Sequence, residues 1–99
     1  MNNTILLLQR SESKDTRTYE TFDSPEKALE EIILMFKARL MALCPTTPHI
    51  KYSIEDLNRY IDKHQECRML VLDSKSNSYM ARDAQWIKAS IKKVAEKVG

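Results

Sequence analysis

The sequence predicts an α+β fold: a four-stranded antiparallel sheet with three amphipathic helices on one face, in the order ββααββα. Three observations carry this reading. Short runs of β-formers come in two pairs, each pair joined by a polar stretch rather than by a long crossover. A long segment with apolar residues at 3.6 periodicity follows the first pair and stops at prolines. A second periodic segment follows the second pair, and strand pairs segregated from helices in this way belong to the α+β class. The 99 residues, 42% hydrophobic and 30% charged with 16 Lys+Arg against 14 Asp+Glu, have the size and balance of one folded domain spanning 1–99.

Thr4 to Gln9 is expected as the first strand, and the polar loop Arg10 to Asp15 connects it to a second at Arg17 to Phe22. Ser24 followed by Pro25 opens a helix, because serine accepts an unpaired N–H and proline in the first turn has none to leave unpaired. That helix is expected to run to about Leu43, ahead of Pro45 and Pro48. Ile50 to Tyr52 reads as extended. Ser53 with Asp56 then resembles a capping box for a second helix that buries Ile54, Leu57 and Ile61 and ends near His64. Met69 to Leu72 is a third strand, Asp73 to Asn77 a turn, Ser78 to Arg82 a fourth strand, and Asp83 the cap of a last helix with Ile87, Ile91, Val94 and Val98 inward.

Several function classes are excluded or left without support. The single glycine is Gly99, so neither of the glycine-rich phosphate-binding turns can form. The longest apolar run, Ile5 to Leu8, is too short for a membrane span or a signal-peptide core. Asn2-Asn3-Thr4 matches a glycosylation sequon that is disregarded for want of a signal peptide. Cys44, Cys67, His49 and His64 lack metal-ligand or disulfide spacing, so two free thiols in a reducing compartment and no metal are expected. No nucleophile-and-base motif is present, and neither catalysis nor a cofactor is expected.

Two features point instead to assembly. Alternate side chains of a strand face opposite ways, yet both sets of the first and third strands are apolar: Ile5 and Leu7 against Leu6 and Leu8, Met69 and Val71 against Leu70 and Leu72. Helices on one face leave the other set bare, so the expectation is a homodimer stacked sheet on sheet through Ile5, Leu7, Met69 and Val71, with a covering loop, or a central first strand crossed on both sides, as the alternative. The first helix carries a core stripe of Leu29, Ile32, Ile33, Phe36, Leu40 and Leu43. It also carries a second apolar seam of Leu34, Ala38 and Met41 with Met35 beside it, read as a partner-binding surface or as packing beneath the 44–52 loop or at the dimer edge. Lys88, Lys92, Lys93 and Lys97 of the last helix are either a solvated face or phosphate contacts of a single-stranded RNA-binding module. The sheet lacks the closely spaced aromatics of an RRM.

Thr4-Ile5-Leu6-Leu7 with Gln9, Arg17-Thr18-Tyr19, Pro45, Pro48-x-Ile50-x-Tyr52-x-Ile54, Leu57, Ile61-Asp62, Leu70-Val71, Tyr79 and Trp86-Ile87-Lys88 together resemble the enhancer of rudimentary homolog family over nearly the whole chain. The resemblance implies a sheet with three helices on one face and a homodimer formed through the sheets. It also implies a non-enzymatic adaptor, nuclear and also allowed in the cytoplasm, that binds short segments of RNA-processing and transcription-associated proteins and reaches RNA through them. The family's name stems from genetic links to pyrimidine synthesis and the cell cycle. Family members often have acid-directed kinase sites where this chain has Thr18 and Ser24. Here the directing positions are Thr21 and Lys27, so that regulation is not expected to carry over.

Overall fold

The computed structural model describes residues 3–43, 45–46 and 52–98. The elements follow the expected order: β1 (Thr4–Gln9), β2 (Arg17–Phe22), α1 (Pro25–Leu43), α2 (Ile54–Asp62), β3 (Glu66–Asp73), β4 (Ser78–Arg82) and α3 (Ala84–Val98). All strand pairs are antiparallel, and the sheet order is β2-β1-β3-β4, which places β1 and β3 in the centre. Strand β3 begins three residues earlier than its apolar run, because Glu66 and Cys67 continue the ladder opposite Gln9 and Leu8.

Local chemistry accounts for the element boundaries. The Ser24 hydroxyl accepts the Lys27 N–H at 3.3 Å, as expected of an N-cap. Ser53 and Asp56 form the reciprocal capping box of α2, Ser53 Oγ accepting the Asp56 N–H at 3.1 Å and Asp56 Oδ2 the Ser53 N–H at 3.0 Å. Asp83 Oδ1 accepts the Trp86 N–H at 3.0 Å and starts α3. Between β3 and β4, Asp73 holds the Lys75 N–H at 3.0 Å while Asn77 adopts φ 54, a left-handed conformation that asparagine tolerates better than most residues. The β1–β2 connection, which the sequence predicts as a plain loop, contains a short 3-10 turn at Lys14–Thr16 capped by Ser13. The expected extended segment at Ile50 begins outside the described residues, as do Cys44 and His49.

One hydrophobic cluster joins the sheet to the helices. Leu6, Leu8, Cys67 and Met69 face Leu29, Ile32, Ile33 and Phe36 of α1, Leu57 and Ile61 of α2, and Ile87, Ile91 and Val94 of α3. Phe36 anchors the α1–α2 side through an edge-on contact with Tyr52 at 5.1 Å and a tilted one with Tyr60 at 5.2 Å. Lys88 Nζ reaches Asp62 Oδ1 at 2.9 Å and ties α3 to the end of α2.

Candidate interaction surfaces

Register decides what the sheet shows on its outer face. Leu6 lies opposite Met69, Thr4 opposite Val71 and Leu8 opposite Cys67, and residues paired across a ladder share a face. Met69 is therefore fully buried under the helices, with Val71 packed against the same cluster. This corrects the expected grouping of Ile5 and Leu7 with Met69 and Val71. The partner of Ile5 is Leu70, and the outer face carries Ile5, Leu7, Leu70 and Leu72, all half-buried. Tyr19, opposite Leu7, is 75% exposed, and Tyr79, opposite Leu72, is 46% exposed, so the apolar strip is flanked by an aromatic ring on each outer strand. Among the described strand residues, the charges of this face lie at one end, where Arg17 Nε donates to Gln9 Oε1 at 2.7 Å and Arg68 pairs with Glu66 at 3.4 Å.

The second seam of α1 faces away from the core. Leu34 is 58% and Met41 64% exposed, Ala38 is exposed between them, and Met35 at the margin packs partly against the core. None of the described elements covers Leu34 or Met41, so among the described residues the seam is open surface.

A cleft of about 870 Å³ runs between α1 and α2. Met35, Ala38, Leu40 and Leu43 of α1 and Tyr60 of α2 form its apolar wall, and Arg10, Arg39, Arg59 and Lys63 surround it. Sequence reading did not find this cleft, because its walls come from two helices whose relative placement no local pattern encodes. On α3, Lys92 and Lys93 are exposed, whereas Lys88 is engaged by Asp62; the Lys97 side chain lies outside the described ones. Lys88 therefore does not share the free surface of Lys92 and Lys93.

Among the described residues, Cys67 is the one cysteine, and its surroundings do not activate it. Burial pushes the Cys67 thiol up to about 11, and the nearby Asp62 carboxylate adds to this, the opposite of what activates a nucleophile. His64 sits just past α2, its Nδ1 3.0 Å from the Tyr60 carbonyl and its ring edge-on to the Tyr60 ring. Among the described residues no group of three or more His, Cys, Asp or Glu side chains is arranged to hold a metal ion, and no helix is long and apolar enough to cross a membrane.

Comparison with known proteins agrees with the residue-level resemblance. The enhancer of rudimentary family matches residues 1–98. An enhancer of rudimentary homolog of Arabidopsis thaliana is 38% identical over 85 residues, 86% of this chain and 78% of that protein. The homolog of Dictyostelium discoideum is 35% identical over 91 residues, 92% of this chain and 91% of that protein. Protein enhancer of rudimentary of Drosophila virilis is 33% identical over 91 residues, 92% and 88% respectively. A match across nearly the full length, together with the sheet backed by three helices that the resemblance implies, leads to one conclusion: this chain belongs to the enhancer of rudimentary family.

Proposed function

We propose that the protein is a non-enzymatic, single-domain homodimeric adaptor, nuclear in location, that binds short segments of RNA-processing and transcription-associated proteins. The observation that carries the dimer is the outer face of the sheet. Ile5, Leu7, Leu70 and Leu72 lie side by side there between Tyr19 and Tyr79, on two central strands. A monomer with one bare sheet face would normally present polar side chains on it, and pairing two such faces removes the strip from water. The adaptor reading is supported by the open seam of Leu34, Ala38 and Met41, which lies on α1, on the opposite side of the sheet from that strip. Two copies in one dimer would then hold two peptides at once and raise avidity for a dimeric or repeated partner.

Sedimentation equilibrium of the unmodified protein at micromolar concentration tests the assembly, with a monomer as the result that overturns it. Affinity purification with mass spectrometry tests the partner class: RNA-processing factors should be recovered, and should still be recovered after nuclease treatment. The rival reading is direct single-stranded RNA binding through exposed Lys92 and Lys93. In that case binding of an oligonucleotide would fall steeply with salt and with charge reversal of these two lysines.

A further inference from the structure

The cleft between α1 and α2 combines an apolar wall with a one-signed rim. Four cations, Arg10, Arg39, Arg59 and Lys63, line it with a single acid, Asp56. That acid is already engaged, accepting hydrogen bonds from the Ser53 N–H and the Arg59 guanidinium. Arg10, Arg39 and Lys63 form no ion pair among the described residues. The whole chain has a net charge of only +2, so this concentration is local and not a reflection of a basic protein. Tyr60 reports the same field: burial lifts its phenol above the ordinary 10.0, while Arg10 and Arg39 draw it back down. Both guanidinium groups therefore act on the interior of the cleft.

We infer that this cleft binds a short peptide segment that places large apolar side chains against Met35, Leu40, Leu43 and Tyr60 and flanks them with aspartate or glutamate that meets Arg10, Arg39 and Lys63. The inference rests on the adaptor reading and gives its ligand a chemistry. Met35 and Ala38 belong both to the cleft and to the α1 seam, so one bound segment can cross from the seam into the cleft. Leu43, 65% exposed at the cleft wall, gains most from being covered. Methionine accommodates differing side chains, and opposite charge steers the segment and sets its register. A nucleic acid fits less well. Phe36 and His64 already pack on the Tyr60 ring, and among the described residues the remaining apolar wall is aliphatic, with no further aromatic side chain on which bases could stack.

A display library of random peptides about twelve residues long, selected on the intact protein, provides the test. The selected peptides should combine Leu, Phe, Met or Trp with neighbouring Asp or Glu. Replacing those acids by Asn or Gln should weaken binding by about tenfold or more, as should the double variant Arg10→Glu, Arg39→Glu, and added salt should weaken it further. Both arginines are on the surface, so the variant should keep the melting temperature of the parent. Selected peptides without acid enrichment, or equally well bound by the double variant, overturn the inference. If those peptides still depend on Leu34, the adaptor reading survives and only the cleft assignment falls. A library that yields no binder overturns both. Tighter binding of an oligouridylate than of any selected peptide, abolished by the same arginine changes, makes the cleft a nucleic-acid site and also overturns the inference.

Discussion

At the scale of single residues, environment and not identity determines chemistry. Cys67 is one of two cysteines in the chain, and its place on the helix-covered side of β3 makes it a core side chain whose thiol holds its proton to about 11. In a Cys44→Ser background, iodoacetamide at about pH 8 should modify Cys67 roughly a hundredfold more slowly in the folded protein than in urea, from the thiolate population alone. Mass spectrometry of timed quenches measures the ratio, and equal rates would contradict the burial. Asp56 is the opposite case, an exposed carboxyl held below its ordinary 3.8 by the Ser53 N–H first and then by Arg59 and the Ser53 hydroxyl. A lowered folded value means that its stabilisation is complete above 3.8 and is lost as pH falls through the folded value, because the unfolded chain takes up the proton first. Urea titrations from about pH 6 down to about pH 2 should therefore show a shallower acid loss for Asp56→Asn than for the parent.

At the scale of elements, α1 presents two apolar stripes with different fates. Its core stripe was legible because it repeats at 3.6 residues, and Leu29, Ile32, Ile33 and Phe36 are buried, but the stripe ends sooner than periodicity predicts: Leu40 is half-buried and Leu43, in the last turn of the helix, is 65% exposed. Periodicity also marked the seam of Leu34, Ala38 and Met41, but whether another part of the chain covers a stripe depends on where the other elements pack. The two stripes should separate cleanly on mutation. Ile33→Ala should cost about 2–5 kcal/mol of stability, the range for truncating a buried aliphatic side chain. Leu34→Asp should stay within about 0.5 kcal/mol of the parent in thermal or urea unfolding while losing partner capture in a pull-down. A Leu34→Asp protein that unfolds, or that captures partners normally, removes the seam from the binding surface. Helix α2 depends on its start: Ser53→Ala removes the hydroxyl that accepts the Asp56 N–H and should destabilise by about 1 kcal/mol.

At the scale of the whole molecule, the central pair β1–β3 divides its apolar residues between a core and an outer surface. Leu7 and Met69 test that division. Leu7→Arg adds a cation to the outer face directly opposite Arg68, and in a sheet-stacked dimer it would be buried without a counter-charge, at a cost of several kcal/mol. Light scattering should report a folded monomer. Met69→Arg puts the same charge into the fully buried cluster and should unfold the chain, as circular dichroism would show. A Leu7→Arg protein with the mass of the parent would remove the outer strip from the assembly, whereas a folded Met69→Arg protein would contradict the register.

By itself the sequence determined the elements and their order, because caps at Ser24, Ser53 and Asp83, the proline stop after Leu43 and the periodicity of each run act within a few residues. It also determined that the strands hold more apolar residues than one core uses. Which residues those were was decided only by tertiary structure. Alternation relates Ile5 to Leu7 within a strand, but only the antiparallel register tells whether Leu70 or Met69 stands beside them, and a slip of one residue exchanges the faces. The cleft was out of reach for the same reason. Arg10, Arg39 and Lys63 are 29 and 24 residues apart along the chain, and it is the packing of α2 against α1 that gathers them around Tyr60.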